Sequence, residues 1–282
     1  MEVALKNKEH YDALYARVDV GKLVHQVGNL ERFLADAVAT DTSWHGLYHG
    51  ELYKRLASMR VLELGAGDGL NALVMAALGA EVVAVDISEM TPVILRKAAS
   101  QLGLDGRVSG YAGDFLSMKH FSPRSFDLVV GKAFLHHLDP ETESQFLHKS
   151  AEMLKPNGEA RFVEPAINST ALDVLRYLTP VPGRPSSLNR SAFRAWKDAD
   201  PHPARDNSSA HFREAAGKEF GRVEIVCFGA LERFERLLPR GESCRSFRRL
   251  AFRLERLLPP GWNDAFARTQ LIVCREPRAA LN

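Results

Sequence analysis

The segment "RVLELGAGDGL" (60–70) runs apolar residues into Glu63 and then crowds Gly65, Gly67 and Gly69 into a turn. A glycine turn between a strand and a helix offers backbone N–H groups and a helix N-terminus to a ligand. The backbone of Gly65, Ala66 and Gly67 is therefore expected to hold a nucleotide. The spacing is G-x-G-x-G, tighter than the G-x-G-x-x-G of dinucleotide sites. Glu63 in the strand and Asp68 inside the turn would repel a pyrophosphate. They suit a ligand bearing an amino group and a sulfonium charge.

The elements that must position these residues follow from periodicity. "RVLELG" (60–65), "EVVAVDIS" (81–88), "RVSGYAGDF" (107–115), "FDLVVGKAF" (126–134) and "EARFVEP" (159–165) are apolar enough for buried strands. "LNALVMAALG" (70–79), "PVILRKAASQLG" (92–103) and "PETESQFLHKSAEML" (140–154) have helical spacing, and "KPNG" (155–158) is turn chemistry. Strand–helix alternation implies a parallel sheet covered on both faces.

The rhythm breaks at 166–207, where "LTPVPGRPSSLNR" and "DADPHPARDNSS" carry too much Pro and Ser for a core element. It resumes with a helix over 209–221 and a strand over 222–229, breaks again over 230–266, and ends with a strand over 267–276. The expected organisation is a helical segment or lid (1–58), a nucleotide-binding core (59–165), a capping insertion (166–207), a core helix and strand (208–229), a helical capping insertion (230–266), and a last strand and tail (267–282). Both insertions leave strand C-termini, the ligand side of such a sheet, so they are expected to cap one crevice. The echo between "FERLLPRG" (234–241) and "LERLLPPG" (254–261) is too short to establish a repeat.

With those segments in order, the chain resembles the class I S-adenosylmethionine-dependent methyltransferases. "VLELGAGDG" is similar to their first glycine-rich motif, and "VVAVDIS" to their second strand. "GDF" (113–115), "FDLVVGKAFLHHL" and "LKPNGEARFVEP" resemble their later segments, and "LHHL" resembles quinone-pathway and related small-molecule enzymes. The resemblance implies a doubly wound, mostly parallel seven-stranded sheet with an antiparallel last strand, and S-adenosyl-L-methionine as cofactor. It places Asp86, beside Ile87, on the ribose hydroxyls, Asp114 on the adenine amine with Phe115 packing nearby, and Lys132 and Ala133 along the cofactor.

Methyl transfer from a sulfonium is an in-line displacement in which the protein aligns the partners and excludes water. A hydroxyl acceptor also needs a base. The candidates are His136 and His137 after the fourth strand, with a slight preference for His137, then Glu164 at the end of the fifth strand, and His202 in "DPHPARDNSS". Each has a structural alternative: a capping or packing histidine, a turn-fixing Glu164, a solvated loop. Among Tyr11, Tyr15, Trp44 and Tyr48, helix core competes with closure over the sulfonium by cation–π attraction. Tyr11 and Tyr15 are the better candidates for closure.

The activity expected is O-methylation of a small organic acceptor. C-methylation of a lipid or quinone-like acceptor, and a non-catalytic cofactor-binding partner protein, are the alternatives. The stripe "RSFRRLAFRLER" (245–256) puts Phe247, Leu250, Ala251, Leu254 and Leu258 at helical spacing among arginines. It reads first as a solvated face; contact of 245–258 with an anionic membrane surface and contact with an acidic substrate are the other readings. A net charge of +2 gives no case for nucleic acid. Cys227, Cys244 and Cys274 show no metal-ligand spacing, so no metal is expected. No signal peptide or spanning segment is read, and a cytoplasmic location is the expectation.

Overall fold

The computed structural model describes residues 2–199, 205–239 and 241–278. Four helices come first: α1 (Glu2–Tyr15), α2 (Val20–Gly28), α3 (Leu30–Thr40) and α4 (Thr42–Leu47). The core alternates β1 (Arg60–Leu64), α5 (Leu70–Ala77), β2 (Glu81–Asp86), α6 (Met90–Leu102), β3 (Val108–Ala112), β4 (Phe126–Lys132), α7 (Pro140–Met153) and β5 (Leu154–Pro165). Then come α8 (Thr170–Leu178), α9 (Arg190–Asp198), α10 (Ser209–Glu219), β6 (Phe220–Phe228), α11 (Glu242–Glu255), α12 (Pro260–Phe266) and β7 (Thr269–Pro277).

The seven strands form one sheet in the order β3-β2-β1-β4-β5-β7-β6. All neighbours are parallel except β7, which is antiparallel to both β5 and β6. This is the expected doubly wound, mostly parallel arrangement. Successive residues of a strand face opposite sides, and both sides are dry. Val61, Leu128 and Val163 pack under α2 to α6, whereas Leu62, Leu64 and Phe162 pack against α7 and α10. The chain winds outward from β1 to β3 and then crosses back to β4, so β1 and β4 flank the switch point where ligands bind at strand C-termini.

Several boundaries differ from the sequence expectation for local reasons. The "KPNG" turn lies inside β5, whose pairing to β4 slips between Phe126 and Leu128. Helix α6 starts at Met90, so Pro92 sits within its first turn, where a missing N–H costs nothing. The first insertion folds two helices, α8 and α9, neither with a fully buried residue. Its Pro and Ser content marks the connections between them.

The stripe helix is rotated from the expected apolar face. Ala251, Phe252 and Glu255 are buried, while Leu250 and Leu254 are exposed. Ion pairs set this rotation: Arg245 and Arg249 meet Asp36 of α3, and Arg248 reaches Glu232 and Glu235. Phe252 stacks on His45 with ring centroids 4.2 Å apart.

Both insertions are anchored by buried carboxylates. Glu255 accepts from the backbone N–H of Gly229, Leu231 and Glu232 at 2.8–2.9 Å, which ties α11 to the exit of β6. Glu143 of α7 holds Arg205 and, at 2.9 Å, His211. Arg205 in turn donates to the carbonyls of Leu135 and Leu138 at 2.6 and 2.8 Å. Among the described residues, no helix is long and apolar enough to cross a membrane.

Glu255→Ala would leave three backbone donors without their acceptor. The expected loss is about 2–4 kcal/mol, because buried unpaired donors carry their full desolvation cost. Urea denaturation measures it, and Glu255→Gln, which keeps one amide oxygen, should lose less.

Candidate active site

The glycine turn is fixed by positive φ angles of 66°, 61° and 77° at Gly65, Gly67 and Gly69. Two of these positions also lack room: a Cβ at Gly65 would lie 2.6 Å from the Phe134 ring, and one at Gly69 2.5 Å from Leu95. Gly65 donates to the Val85 carbonyl at 2.9 Å, as Ala66 does at 3.2 Å, so the turn is stitched to β2. Asp86 at the end of β2 accepts from Gly67 N–H at 2.8 Å and Ser88 N–H at 2.9 Å. A carboxylate has about four acceptor positions, so these contacts do not fill it. Burial raises its carboxyl above the usual carboxylate range, opposed by the N–H groups of Ser88, Gly67 and Ile87. Ile87 lies half-buried between Asp86 and Ser88. Asp68 accepts from Leu70 N–H at 3.1 Å, a helix-capping contact inside the turn.

Glu63 projects beneath the turn and is buried. One oxygen accepts from Asn71 at 2.7 Å, and Asn71 accepts from Tyr48 at 2.9 Å. The other oxygen, Oε2, is buried with no hydrogen-bond partner. Burial lifts the carboxyl from 4.5 to about 7, while Asn71 and the Lys132 charge pull it down. Lys132 itself stands 4.6 Å over the Trp44 ring.

Helix α1 lies over this turn. Asp12 accepts from the Ser88 hydroxyl at 2.6 Å and from Glu89 N–H at 2.9 Å, and Lys8 pairs with Asp12 and Glu89. Tyr15 sits close enough to Gly67 that a Cβ there would come within 3.2 Å of its hydroxyl. Tyr11 stacks on Tyr15 at 5.6 Å and places its hydroxyl 3.4 Å from His137 Nδ1. Trp44 and Tyr48 instead stack on each other in the core. The sequence grouping of four aromatics thus separates into a pair over the turn and a pair beneath it.

At the exit of β4, Ala133 adopts a positive φ of 54° and donates to the Val163 carbonyl. Glu164 of β5 closes the turn that follows. Its carboxylate accepts from Phe134 N–H at 3.0 Å, Leu135 N–H at 2.7 Å and His136 N–H at 3.2 Å, and meets His136 Nδ1 at 2.7 Å. Its side chain is wholly buried. A carboxylate has about four acceptor positions, so Glu164 has none left for a substrate. The expectation of a direct contact is corrected: Glu164 orients His136. Phe115 needs a similar correction. Its ring is buried against Phe146, with the Lys149 amine 4.7 Å over it, and it belongs to the core rather than to a ligand surface. Asp114 is exposed and caps the short turn at Phe115 through Leu116 N–H at 3.0 Å. His202 lies outside the described residues.

Beside the β4 exit is a cavity of about 420 Å³. Its floor is Ala133 and the chain from Val163 to Ile167, the C-terminal edge of β5. Its walls come from α8 and its following turn on one side and 233–237 on the other. The turn after β1 and this cavity therefore flank β4 from opposite sides.

Asp12, Ser88, Asn71 and the arginines of the cavity wall were not singled out from the sequence. Asn71 had a signal, a polar residue inside the apolar "LNALVMAAL". The others are distant in the chain and share no spacing.

A carboxyl raised on folding makes the folded state bind a proton that the unfolded chain releases. Stability from this source is lost as pH rises from about 4.5 to about 7. Glu63→Gln should flatten that slope by about 2–4 kcal/mol, read from chemical denaturation at pH 4.5 and pH 8. An unchanged slope would assign the buried charge elsewhere.

Comparison with known proteins agrees with this geometry. Residues 61–158 match the family model of a methyltransferase domain. The mitochondrial ubiquinone biosynthesis O-methyltransferase of Schizosaccharomyces pombe is 36% identical over 121 residues, covering 43% of this chain and 42% of that protein. The chain thus matches less than half the length of this relative. Among solved structures, a chain of the Haloferax volcanii Trm112 methyltransferase activator complex aligns over 96% of this chain and 97% of its own length, with TM-score 0.55 and 17% identity. Haemonchus contortus phosphoethanolamine N-methyltransferase 2 aligns over 78% and 49%, with TM-score 0.51 and 17% identity. At those identities the likeness is one of fold. With its sheet order and its glycine turn, the chain thus carries over residues 61–158 a segment similar to a methyltransferase domain.

Proposed function

We propose that the protein transfers a methyl group from S-adenosylmethionine to the hydroxyl oxygen of a small organic acceptor. The observation that carries this reading is the unpartnered, buried Oε2 of Glu63 beneath the glycine turn, with the buried Asp86 holding Gly67 of the same turn. A carboxyl oxygen left without a partner fits a ligand that brings an amino group and a positive charge. Asp86 would hold the ribose hydroxyls with its remaining lone pairs, and Asp114 the adenine amine. Tyr11 and Tyr15 would close over the charged centre from α1. The named activity of the fission-yeast relative supports oxygen as the methylated atom.

When bound, the cofactor supplies a methyl group on a sulfonium, the electrophile of an in-line displacement. The chain's own residues have three tasks. Ala133 and the turn after it set the angle between the cofactor crevice and the cavity, which we assign to the acceptor. The two insertions cover that cavity and exclude water. His136 takes the acceptor proton as the new C–O bond forms. We favour His136 over His137 because the buried Glu164 carboxylate meets His136 Nδ1 at 2.7 Å and so fixes the orientation of its ring. His137 is engaged by Tyr11 and belongs with the closing helix. Three basic residues of 245–258 are spent on protein carboxylates, which favours a structural face over a membrane contact for that stripe.

Calorimetry with S-adenosylhomocysteine tests the cofactor assignment. Asp86→Asn should weaken binding by about 1–3 kcal/mol, the worth of a charge-assisted hydrogen bond; unchanged affinity would sink it. Transfer of labelled methyl into a small-molecule extract tests the activity. His136→Ala should lower turnover about 10²–10⁴-fold with cofactor affinity nearly constant. Glu164→Gln should lower turnover too and displace the acidic limb of the pH profile, as expected of a group acting through the histidine. Full turnover in His136→Ala would move the base elsewhere.

A further inference from the structure

The cavity beside Ala133 is built in an unusual way for an apolar pocket. Leu172, Leu175, Val181 and Phe234 line it, yet so do Arg176, Arg184, Arg233, Arg236 and Arg268. The nearby acids do not balance them. Asp173 pairs with Arg176 at 3.2 Å. Glu232 and Glu235 are held by Arg268, and they also serve Arg248. Glu164 is consumed by the β4 exit.

Among the described residues, three guanidinium groups remain without a carboxylate. Arg184 is 7% exposed, and its guanidinium donates to the carbonyls of Arg176 and Thr179, at 2.6 and 3.1 Å. Its Nε, like that of Arg176, is buried with no partner. Arg233 and Arg236 have no ion pair or side-chain hydrogen bond among the described residues. Crowding shifts these groups. Arg236, although much of its side chain is exposed, is pulled down to about 10, by desolvation first and then by repulsion from Arg268, Arg176 and Arg184. Arg233 and Arg184 are lowered by the same causes, burial and then neighbouring arginines.

Like charges gathered in a partly dehydrated space destabilise the fold unless an anion relieves them. Fixed guanidinium forks match the oxygens of phosphate or carboxylate. The chain builds this cluster from residues of both insertions, Arg184 of the first and Arg233 and Arg236 of the second, on the C-terminal rim of the sheet.

We infer that the acceptor is an amphipathic anion: its phosphate or carboxylate is held by Arg184, Arg233 and Arg236, and its apolar part lies along Leu172, Leu175 and Phe234. That the anion belongs to the methyl acceptor rests on the proposed methyl transfer; that the cavity binds an oxyanion does not. The anionic group serves as a handle that leaves the reacting hydroxyl to face Ala133 and the cofactor crevice.

Isothermal calorimetry with octyl phosphate, octanoate and octanol on the full chain, with and without S-adenosylhomocysteine, tests it. Octyl phosphate or octanoate should bind at least tenfold more tightly than octanol, and less tightly as salt rises. The double variant Arg233→Gln/Arg236→Gln, which removes no ion pair of the fold, should weaken octyl phosphate at least tenfold and leave S-adenosylhomocysteine affinity within twofold. Sedimentation with vesicles of phosphatidylglycerol in phosphatidylcholine separates the sources. Sedimentation lost in the double variant assigns the anion to a lipid headgroup. Octyl phosphate binding without sedimentation assigns it to a free small molecule. Equal binding of all three probes, or an unchanged double variant, overturns the proposal. Failure of S-adenosylhomocysteine to bind while octyl phosphate still binds would overturn the methyltransferase reading and keep the anion site.

Discussion

The Glu164 carboxylate is the contact on which the site geometry depends. It lies at the end of one strand, wholly buried, and binds the three consecutive N–H groups that leave the neighbouring strand. A buried carboxylate is tolerated because backbone donors and an imidazole fill its acceptor positions. One residue thus sets the turn after β4, the strained backbone at Ala133 and the orientation of His136. Packing alone would leave that turn free to shift, since Phe134 and Leu135 could bury their side chains in more than one arrangement.

The same device recurs along the ligand edge of the sheet. Asp86 gathers N–H groups from the glycine turn and from Ser88, and Glu255 gathers those that leave β6. Glu143 does the equivalent with Arg205, which continues to two carbonyls of the Leu135–Leu138 turn. Each acid joins segments far apart in the chain. Glu63 breaks the pattern, because one of its oxygens has no donor.

The two charge imbalances are complementary. On the β1 side of β4, a carboxylate lacks a donor; on the β5 side, guanidinium groups lack an acid. A cationic cofactor and an anionic acceptor would each relieve one of them, and β4 would hold the two at a fixed separation. The two helices of the first insertion, α8 and α9, have no fully buried residue.

The sequence by itself determined the strands from β1 to β5, the glycine turn and the acid after β2. Those features are written in contiguous residues: apolar runs of strand length, glycines at positive-φ positions, an acid where a strand stops. Its N-terminal tyrosines were legible as candidates for the same reason, a local spacing on one helix. The tertiary structure alone decided which histidine is oriented, that Glu164 is spent on the backbone, that the Phe115 ring is core, and which face of α11 is buried. It also brought together Arg184 and Arg233, which no periodicity connects. In each case the deciding partner is tens to hundreds of residues away. Burial and hydrogen-bond satisfaction are properties of the assembled neighbourhood, and a linear pattern records only the part of it that is local.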